Sequence, residues 1–206
     1  MTRTDKRPYH HGHLRQAVIE AAVDEVVAVG ASALSMRAVA RRAGVSHAAP
    51  AHHFGDKKGI FTAIAIEGFD LMTKAIAPIA FEDVGFLAGG VGYVRFALEH
   101  PGHFEVMFRP TLYDRDDPRL VEASDRAFDV LADSARHAID LQGTDDDADG
   151  LAIAGWCLSH GLATLWLQSN LVDKIGADPF DQVSRGVIAL GEIVRRAQDP
   201  QESPDS

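Results

Sequence analysis

The stretch AVARRAGVSHAAPAHHF, from Ala38 to Phe54, contains the pattern that decides the fold. Two short helical segments lie on either side of the tetrapeptide AGVS at residues 43–46, and Gly44 suits a sharp turn between steeply crossing helices. Ser46 is the predicted N-cap of the second segment, which extends to about His53. The pattern therefore predicts a helix-turn-helix, a motif whose second helix can enter the major groove of DNA.

Helical periodicity extends through almost the whole chain, and no segment shows the alternation of a β-strand. A first helix is predicted over residues 14–30, and Ser35 and Asp56 are the predicted N-caps of helices over 34–44 and 56–78. The other predicted helices cover 83–99, a short segment up to 109, then 119–141, 147–171 and 179–197. The sequence thus predicts an all-α fold of roughly nine helices, followed by a disordered tail at 199–206.

The net charge of −10 is distributed unevenly along the chain. Residues 1–58 contain nine Lys and Arg against five Asp and Glu, a balance of +4, whereas the remaining residues contain 11 against 25, a balance of −14. A basic head can approach a polyanion while an acidic body stays away from it. The charge distribution therefore predicts two modules.

Composition argues against several other classes of protein. We expect no apolar run to approach the ~20 residues of a membrane span, and therefore no membrane partner. No apolar segment follows the basic start, so no secretory signal is expected either. The only cysteine, Cys157, excludes an intrachain disulfide and fits a reducing, cytoplasmic setting. His10, His11 and His13 have no Cys, Asp or Glu at ligand spacing, so no metal or other cofactor is expected.

Residues 33–64, ALSMRAVARRAGVSHAAPAHHFGDKKGIFTAI, closely resemble the DNA-binding domain of TetR-family transcriptional regulators. The shared features are an Ala-rich second helix, the AGVS turn, a recognition helix ending in His53-Phe54, and Lys57 at the start of the fourth helix. The resemblance implies a DNA-binding domain at 1–56 and a larger helical ligand-binding and dimerisation domain at 57–198. It also implies a homodimeric repressor that releases a double-stranded DNA operator when a small-molecule effector binds.

The resemblance also implies which residues face DNA. Lys57 is expected to contact phosphate, and Arg37 to contact phosphate or to reach a base. Ser46 is expected to donate a hydrogen bond to phosphate as residues at helix N-termini do. His53 is expected to contact phosphate or to pack beside Phe54 in the small domain's core. The full predicted DNA surface comprises Arg37, Ser46, His47, Ala48, Ala49, Ala51, His52, His53 and Lys57.

The chain departs from the family pattern at two positions of the recognition segment. Ala51 stands where the family usually has Tyr, which removes one contact with the DNA backbone, and Pro50 stands where Leu or a similar residue is common. Pro50 is predicted at about the fourth helical position, where it would remove the first intrahelical hydrogen bond. A family member that has lost DNA binding and acts as an interaction protein is therefore an alternative.

The segment GWCLSHGLATLWLQ, at 155–168, predicts a helix that is apolar on two sides and buried on both. One face is predicted to line an effector cavity and the other to pack across a dimer, whereas an intrachain core is the alternative for the last helix. The predicted pocket comprises Phe96, Phe104, Met107, Phe108, Phe128, Leu131, Trp156 and His160. The predicted dimer face comprises Gly155, Ser159, Leu162, Trp166, Val183, Val187, Leu190 and Val194.

Two further features of this helix bear on function. Trp156, His160 and Gly161 resemble the WHG type of C-terminal domain within the family, whose ligands vary; His160 could bind a ligand or a backbone carbonyl. An enzyme is an alternative because Ser159 and His160 lie beside Cys157. Adjacent helical residues diverge, however, and no oxyanion loop or glycine elbow accompanies them, so no enzymatic activity is expected.

Overall fold

The computed structural model describes residues 11–81, 85–144, 147–169, 173–174, 178–182, 185–186 and 189. These residues form helices and connecting turns, without a strand, which confirms the all-α prediction for the described ranges. The predicted tail lies outside them, and of the predicted last helix only 179–182, 185–186 and 189 are described, all helical. The helices are α1 (His11–Val29), η1 (Ala31–Ala33, a 3₁₀ helix), α2 (Met36–Arg42), α3 (Ala49–Phe54), α4 (Lys57–Ile76), α5 (Gly85–Glu99), α6 (Pro101–Met107), α7 (Pro118–Gln142) and α8 (Ala148–Gln168).

The chain packs as two compact units, and each contains two separate segments of sequence. The head unit contains the residues up to Phe69 together with His100–Ser124, and the body unit contains Asp70–Glu99 together with the residues from Asp125 onward. The division falls inside α4 and inside α7. The expected boundary between functional domains at residue 56 stays a prediction, but it does not coincide with this division.

The core of the head unit explains why α6 belongs to it. Apolar side chains of α1, α2 and α4 meet there, among them Val18, Val39 and Phe61, and each is almost completely buried. Val106 of α6 and Tyr113 of the following loop belong to the same core. Burial of apolar surface is the main favourable term in folding, so residues 100–124 stabilise the helices that precede residue 69.

Local signals fix where the head helices begin and end. The Ser35 side chain accepts a hydrogen bond from Ala38 N, and Asp56 Oδ1 accepts one from Gly59 N at 2.9 Å, so both predicted N-caps are confirmed. The predicted N-cap at Ser46 is wrong. The helix begins later, at Ala49, because residues 46–49 form a turn in which Ala49 N donates to the Ser46 carbonyl at 3.0 Å.

In the body unit, α5 packs directly against α8, and small residues allow a close approach. A Cβ on Gly155 would lie 2.5 Å from Cζ of Phe86, so only glycine fits there while that ring keeps its position. Ala152, Ser159 and Ala163 of α8 are buried. The α8 face with these residues is therefore covered by the same chain.

Helix α8 meets the length and composition of a membrane span, because it has 21 residues and contains an 18-residue stretch with a mean hydropathy of 1.3. The expectation that no apolar run reaches this length is therefore wrong for α8. Its Gly, Ser, His and Thr residues lower the mean hydropathy too little to take the helix below that of a membrane span. Core helices of folded domains pass the same test, so the feature is weak evidence for a span. Only 17% of its most apolar stretch is buried, which leaves apolar surface for a partner to cover.

Candidate nucleic-acid interface

The turn between α2 and α3 has the geometry that a helix-turn-helix requires. Gly44 adopts a φ of 66°, a left-handed conformation that favours glycine, and Val45 N donates to the Ala40 carbonyl at 3.0 Å. Pro50 lies in the first turn of α3, where its missing N–H has no intrahelical partner to lose. The predicted loss of a helical hydrogen bond at Pro50 is therefore wrong, because α3 begins two residues later than the predicted N-cap at Ser46 implied.

Most of the residues predicted to face DNA lie together at this turn and are accessible. The exposed ones are Arg37, Ser46, His47, Ala48, Ala51 and His52, whereas Ala49, His53 and Lys57 are half-buried. The His52 and His53 rings meet edge to face with centroids 5.2 Å apart. His53 also contacts the Phe54 ring, which lies 5.1 Å from the Arg15 guanidinium on another side. Phe54 packs against the head core as expected.

The arginines of α2 differ in whether they are held in an ion pair. Arg42 donates two hydrogen bonds to one carboxylate oxygen of Glu25, at 3.0 and 3.2 Å, and this carboxylate is mostly buried against α2. The pair joins α1 to α2. All three arginines of this helix are exposed, but only Arg42 is held in an ion pair among the described residues, so Arg37 and Arg41 are the cations more readily available to an anionic partner. Arg41 was missing from the predicted DNA surface, although the sequence Ala-Arg-Arg at 40–42 places it directly before the turn.

The lysines at the start of α4 contact neighbouring parts of the head. Lys57 Nζ donates to the Ser32 carbonyl at 2.9 Å and lies 5.4 Å from the Phe61 ring centroid. Lys58 Nζ lies 3.3 Å from Asp114 Oδ1 in the loop before α7. The expected phosphate contact of Lys57 stays a prediction, and its ammonium group would have to share or leave the Ser32 carbonyl to make it.

A chain of polar contacts connects three helices of the head unit. Gln16 Nε2 donates to one Glu67 carboxylate oxygen at 3.1 Å, and His103 Nε2 lies 3.1 Å from the other. The hydrogen bond from His103 is the largest cause that holds the pKa of Glu67 below its ordinary value of 4.5. At the same place a Cβ on Gly68 would lie 2.4 Å from Met107 Sδ, so α4 and α6 are in close contact.

Helix α6 is also attached to α1 and to the turn that follows it. Glu105 Oε1 accepts a hydrogen bond from the Ala31 backbone N–H at 3.0 Å and pairs with Arg109 at 3.0 Å. Gly102 fits so closely that a Cβ there would lie 2.9 Å from the Val23 carbonyl. The contacts of Glu105 with Ala31 and of Gly102 with Val23 were not expected from sequence, because they join residues that lie far apart along the chain.

The residues predicted to line a pocket are distributed over both units. In the head unit, Phe104 and Met107 are buried, and the Phe104 and Phe108 ring centroids lie 5.2 Å apart. The body unit contains Phe96, Phe128, Leu131, Trp156 and His160. Phe96 is buried, but Phe128 is 46% exposed, so the Phe128 side chain is not enclosed within the body unit.

Sequence reasoning missed the partner of His160. Tyr93 of α5 is 6% exposed, and its hydroxyl forms a hydrogen bond with His160 Nδ1 at 2.8 Å. Trp156 Nε1 donates to the same hydroxyl oxygen at 3.4 Å. Burial raises the pKa of Tyr93 far above its usual value and lowers the pKa of His160. Both groups are therefore neutral near pH 7, and no backbone carbonyl is needed to explain the His160 Nδ1 contact.

The predicted dimer face needs a correction on α8. Gly155 faces Phe86 of α5, and Ser159 is 3% exposed, so both are already covered by the same chain. Leu162 and Trp166 are half-buried. Large apolar side chains that α8 exposes are Ile153, Leu165 and Leu167. The predicted residues Val183, Val187, Leu190 and Val194 lie outside the described residues.

The histidines do not form a metal centre in the part of the chain that the structure describes, where no group of three or more His, Cys, Asp or Glu side chains is placed to hold an ion. His10 lies outside that part, and the side chains of His11 and His13 are not described. The expectation of no metal site therefore stays a prediction.

Sequence models of two protein families match the chain in consecutive segments. The family "Bacterial regulatory proteins, tetR family" matches residues 18–64, and "Tetracyclin repressor-like, C-terminal domain" matches residues 86–190, which is half of the chain. The chain belongs to the TetR family. This TetR-family protein is a ligand-responsive, DNA-binding transcriptional regulator with a helix-turn-helix, and its family points to a regulatory protein rather than an enzyme. No curated protein sequence matches it significantly.

Solved structures resemble the regulator over most of its length. A protein of unknown function from Rhodococcus sp. RHA1 is 30% identical, with 88% of this chain and 95% of that chain covered and a TM-score of 0.72. The TetR-family transcriptional regulator PfmR from Thermus thermophilus is 18% identical, covers 82% and 93%, and has a TM-score of 0.59. SmeT, solved in complex with triclosan, is 19% identical, covers 86% and 91%, and has a TM-score of 0.58. The last two similarities establish the fold alone.

Proposed function

We propose that this regulator is a cytoplasmic homodimeric repressor that binds a palindromic operator and releases it when a small, largely apolar effector binds. The observation that carries the proposal is the accessible surface at the turn, where Arg37, Arg41 and the histidines of the recognition segment lie around Gly44. Such a surface suits a duplex, because cations and helix N-termini contact phosphates while the second helix reaches base edges. Enzymatic activity forms no part of the proposal.

Two recognition helices must be held about one DNA turn apart to read a palindrome, which requires roughly 34–36 Å between half-site centres. The helices α4 and α7 each begin in the head unit and end in the body unit. An effector that prefers one arrangement of the dimer changes this spacing and thereby DNA affinity. A coupling free energy of about 1–3 kcal/mol is typical of such linkage and suffices for a clear response.

A dimer face is proposed on the exposed apolar side of α8, with Leu162 and Trp166 beside it and Val183, Val187, Leu190 and Val194 as the contribution of the last helix. Leu165 is 52% exposed, and a second copy would cover it. The substitution Leu165→Asp is expected to convert dimer to monomer in light scattering. Leu141→Asp is the matched control, because Leu141 is 56% exposed on α7 and lies outside the proposed face.

DNA binding is tested with the purified protein and the duplex upstream of its own coding sequence, over a salt series and against a scrambled duplex. Selective binding that weakens steeply with salt supports the repressor. Binding without selectivity at any salt, followed by no enrichment in a genome-wide selection of fragments, would instead favour a family member that has lost DNA binding. The genome-wide selection is needed because Ala51 replaces the Tyr that is usual in the family, and this replacement is the reason for considering a loss of DNA binding.

The same assay addresses release. Compounds that dissociate the complex at fixed salt are candidate effectors, and they should leave the midpoint of thermal unfolding unchanged or raised, because a ligand of the native state stabilises it. A compound that releases DNA only by unfolding the protein lowers that midpoint.

A further inference from the structure

The contact between α5 and α8 contains a connected set of polar groups inside an apolar helix pair. The Tyr93 hydroxyl joins His160 Nδ1 at 2.8 Å and receives the Trp156 indole N–H at 3.4 Å. We call Tyr93, Trp156, His160 and Thr164 the polar cluster.

Thr164 follows His160 by one helical turn and therefore shares its face of α8. Its hydroxyl oxygen is buried and has no hydrogen-bond partner within the part of the chain that the structure describes. A buried hydroxyl without a partner costs free energy, and such groups in native proteins call for a specific explanation. A ligand oxygen or hydroxyl at this position would supply the missing bond, since a threonine hydroxyl can both donate and accept.

Neither α5 nor α8 contributes a buried charged side chain near the polar cluster. On the described parts of α5 and α8 the charged side chains are Arg95, Glu99 and Asp149, and all three are exposed. Arg95 also has its guanidinium 5.2 Å from the Phe180 ring centroid. A carboxylate or an ammonium group entering the cluster would lose its hydration without gaining a counter-ion from these helices, which is strongly unfavourable.

We propose that the polar cluster recognises a neutral effector, a largely apolar molecule with a ketone, ester or alcohol oxygen, and that Thr164 Oγ1 hydrogen-bonds this oxygen. The proposal rests on the proposed function and deepens it, because it names the chemical class of the effector and the atom that selects it. Carboxylates and amines of the same length are rejected. Apolar parts of the ligand lie against the aromatic rings around the cluster, as in most small-molecule sites.

The test uses three probes of equal chain length, namely 2-nonanone, nonanoate and nonylamine, at neutral pH. Trp166→Phe leaves Trp156 as the single tryptophan of the full-length protein, so its fluorescence reports on the cluster. We expect 2-nonanone to change the Trp156 emission saturably and to bind at least about tenfold more tightly than either ion. Tighter binding of an ion, or no response to any of the three probes, overturns the proposal.

Thr164→Val keeps the side-chain shape and removes the hydroxyl. We expect it to weaken 2-nonanone binding about tenfold, in line with the loss of one hydrogen bond to a buried group. Ser134→Ala is the matched control, because it removes a buried hydroxyl of α7 that already bonds the Leu131 carbonyl. Equal binding of 2-nonanone by the Thr164→Val variant and the parent contradicts the proposal.

Operator binding without probe is measured on the same variants. If it fails for the wild-type protein, which keeps Trp166 beside the proposed dimer face, while the fluorescence titration succeeds, the repressor function fails and the neutral-ligand site stands. If operator binding succeeds and 2-nonanone is not preferred, the site proposal fails alone.

Discussion

Gly44 is the single residue on which the turn geometry depends most directly. Its φ of 66° strains any residue with a Cβ, although no heavy atom lies within 4 Å of where that Cβ would be. We expect Gly44→Ala to lower the free energy of unfolding by about 1–2 kcal/mol, the cost of a left-handed L-residue. Urea unfolding followed by circular dichroism measures this. Gly44→Asn should lower the free energy of unfolding less than Gly44→Ala does, because asparagine adopts this conformation more readily than alanine. Equal decreases for the two variants would contradict backbone strain as the cause.

Arg37 is exposed at the start of α2, where a contact with phosphate breaks no ion pair among the described residues. Arg37→Ala is therefore expected to weaken operator binding and to reduce the slope of log K against log salt by about two for the proposed dimer, because each subunit loses one phosphate contact. The thermal midpoint should stay unchanged. Arg136→Ala removes an exposed arginine of α7 and is the control, so it should alter neither operator affinity nor the salt slope. An unchanged slope for Arg37→Ala would remove this residue from the interface.

At the scale of helices, the pairing of α4 with α6 depends on a carboxylate. Because the hydrogen bond with His103 lowers the pKa of Glu67, the ionised form stabilises the folded state. This contribution is complete above about pH 4.5 and is lost as pH falls through the lower, folded-state value.

Glu67→Gln should therefore lower the free energy of unfolding by about 1–2 kcal/mol at pH 7. In the variant this free energy should also decrease less than in the parent as the pH is lowered below about 4.5. Denaturant unfolding between pH 3 and 7 measures both effects. Asp133→Asn, which removes an exposed pair with Arg136, is the control and should leave the profile nearly unchanged. A parallel acid profile for Glu67→Gln would show that another group titrates.

Helices with local signals were predictable from sequence. Ser35 and Asp56 are capping residues next to periodic apolar segments, and the structure confirms both. The start of α3 was misjudged because Ser46 also resembles an N-cap, while the turn at 46–49 and the place of Pro50 in the first helical turn decide otherwise. The bond between Tyr93 and His160 could not be predicted, since it joins residues 67 positions apart and leaves no periodic trace.

At the scale of the molecule, the uneven distribution of charge could be predicted from the sequence. The sequence did not predict which segments of the chain pack together in each of the two units. Val106, Tyr113 and Leu120 complete the core of the helices that precede residue 69. A fragment ending at Phe69 lacks these residues, so we expect it to unfold without a cooperative transition. Thermal unfolding followed by circular dichroism tests this against the full chain. A sharp transition in the fragment would show that the N-terminal helices fold alone.

The two-segment head unit also has a consequence for biosynthesis. A ribosome delivers the recognition helix long before residues 100–124, and residues 70–99 are made in between. Until then the apolar face of α1 and α4 lacks part of its cover and is open to chaperones and proteases. A gene interrupted within residues 70–99 would therefore yield a degraded product rather than a truncated competitor for the operator, so such alleles should behave as recessive losses.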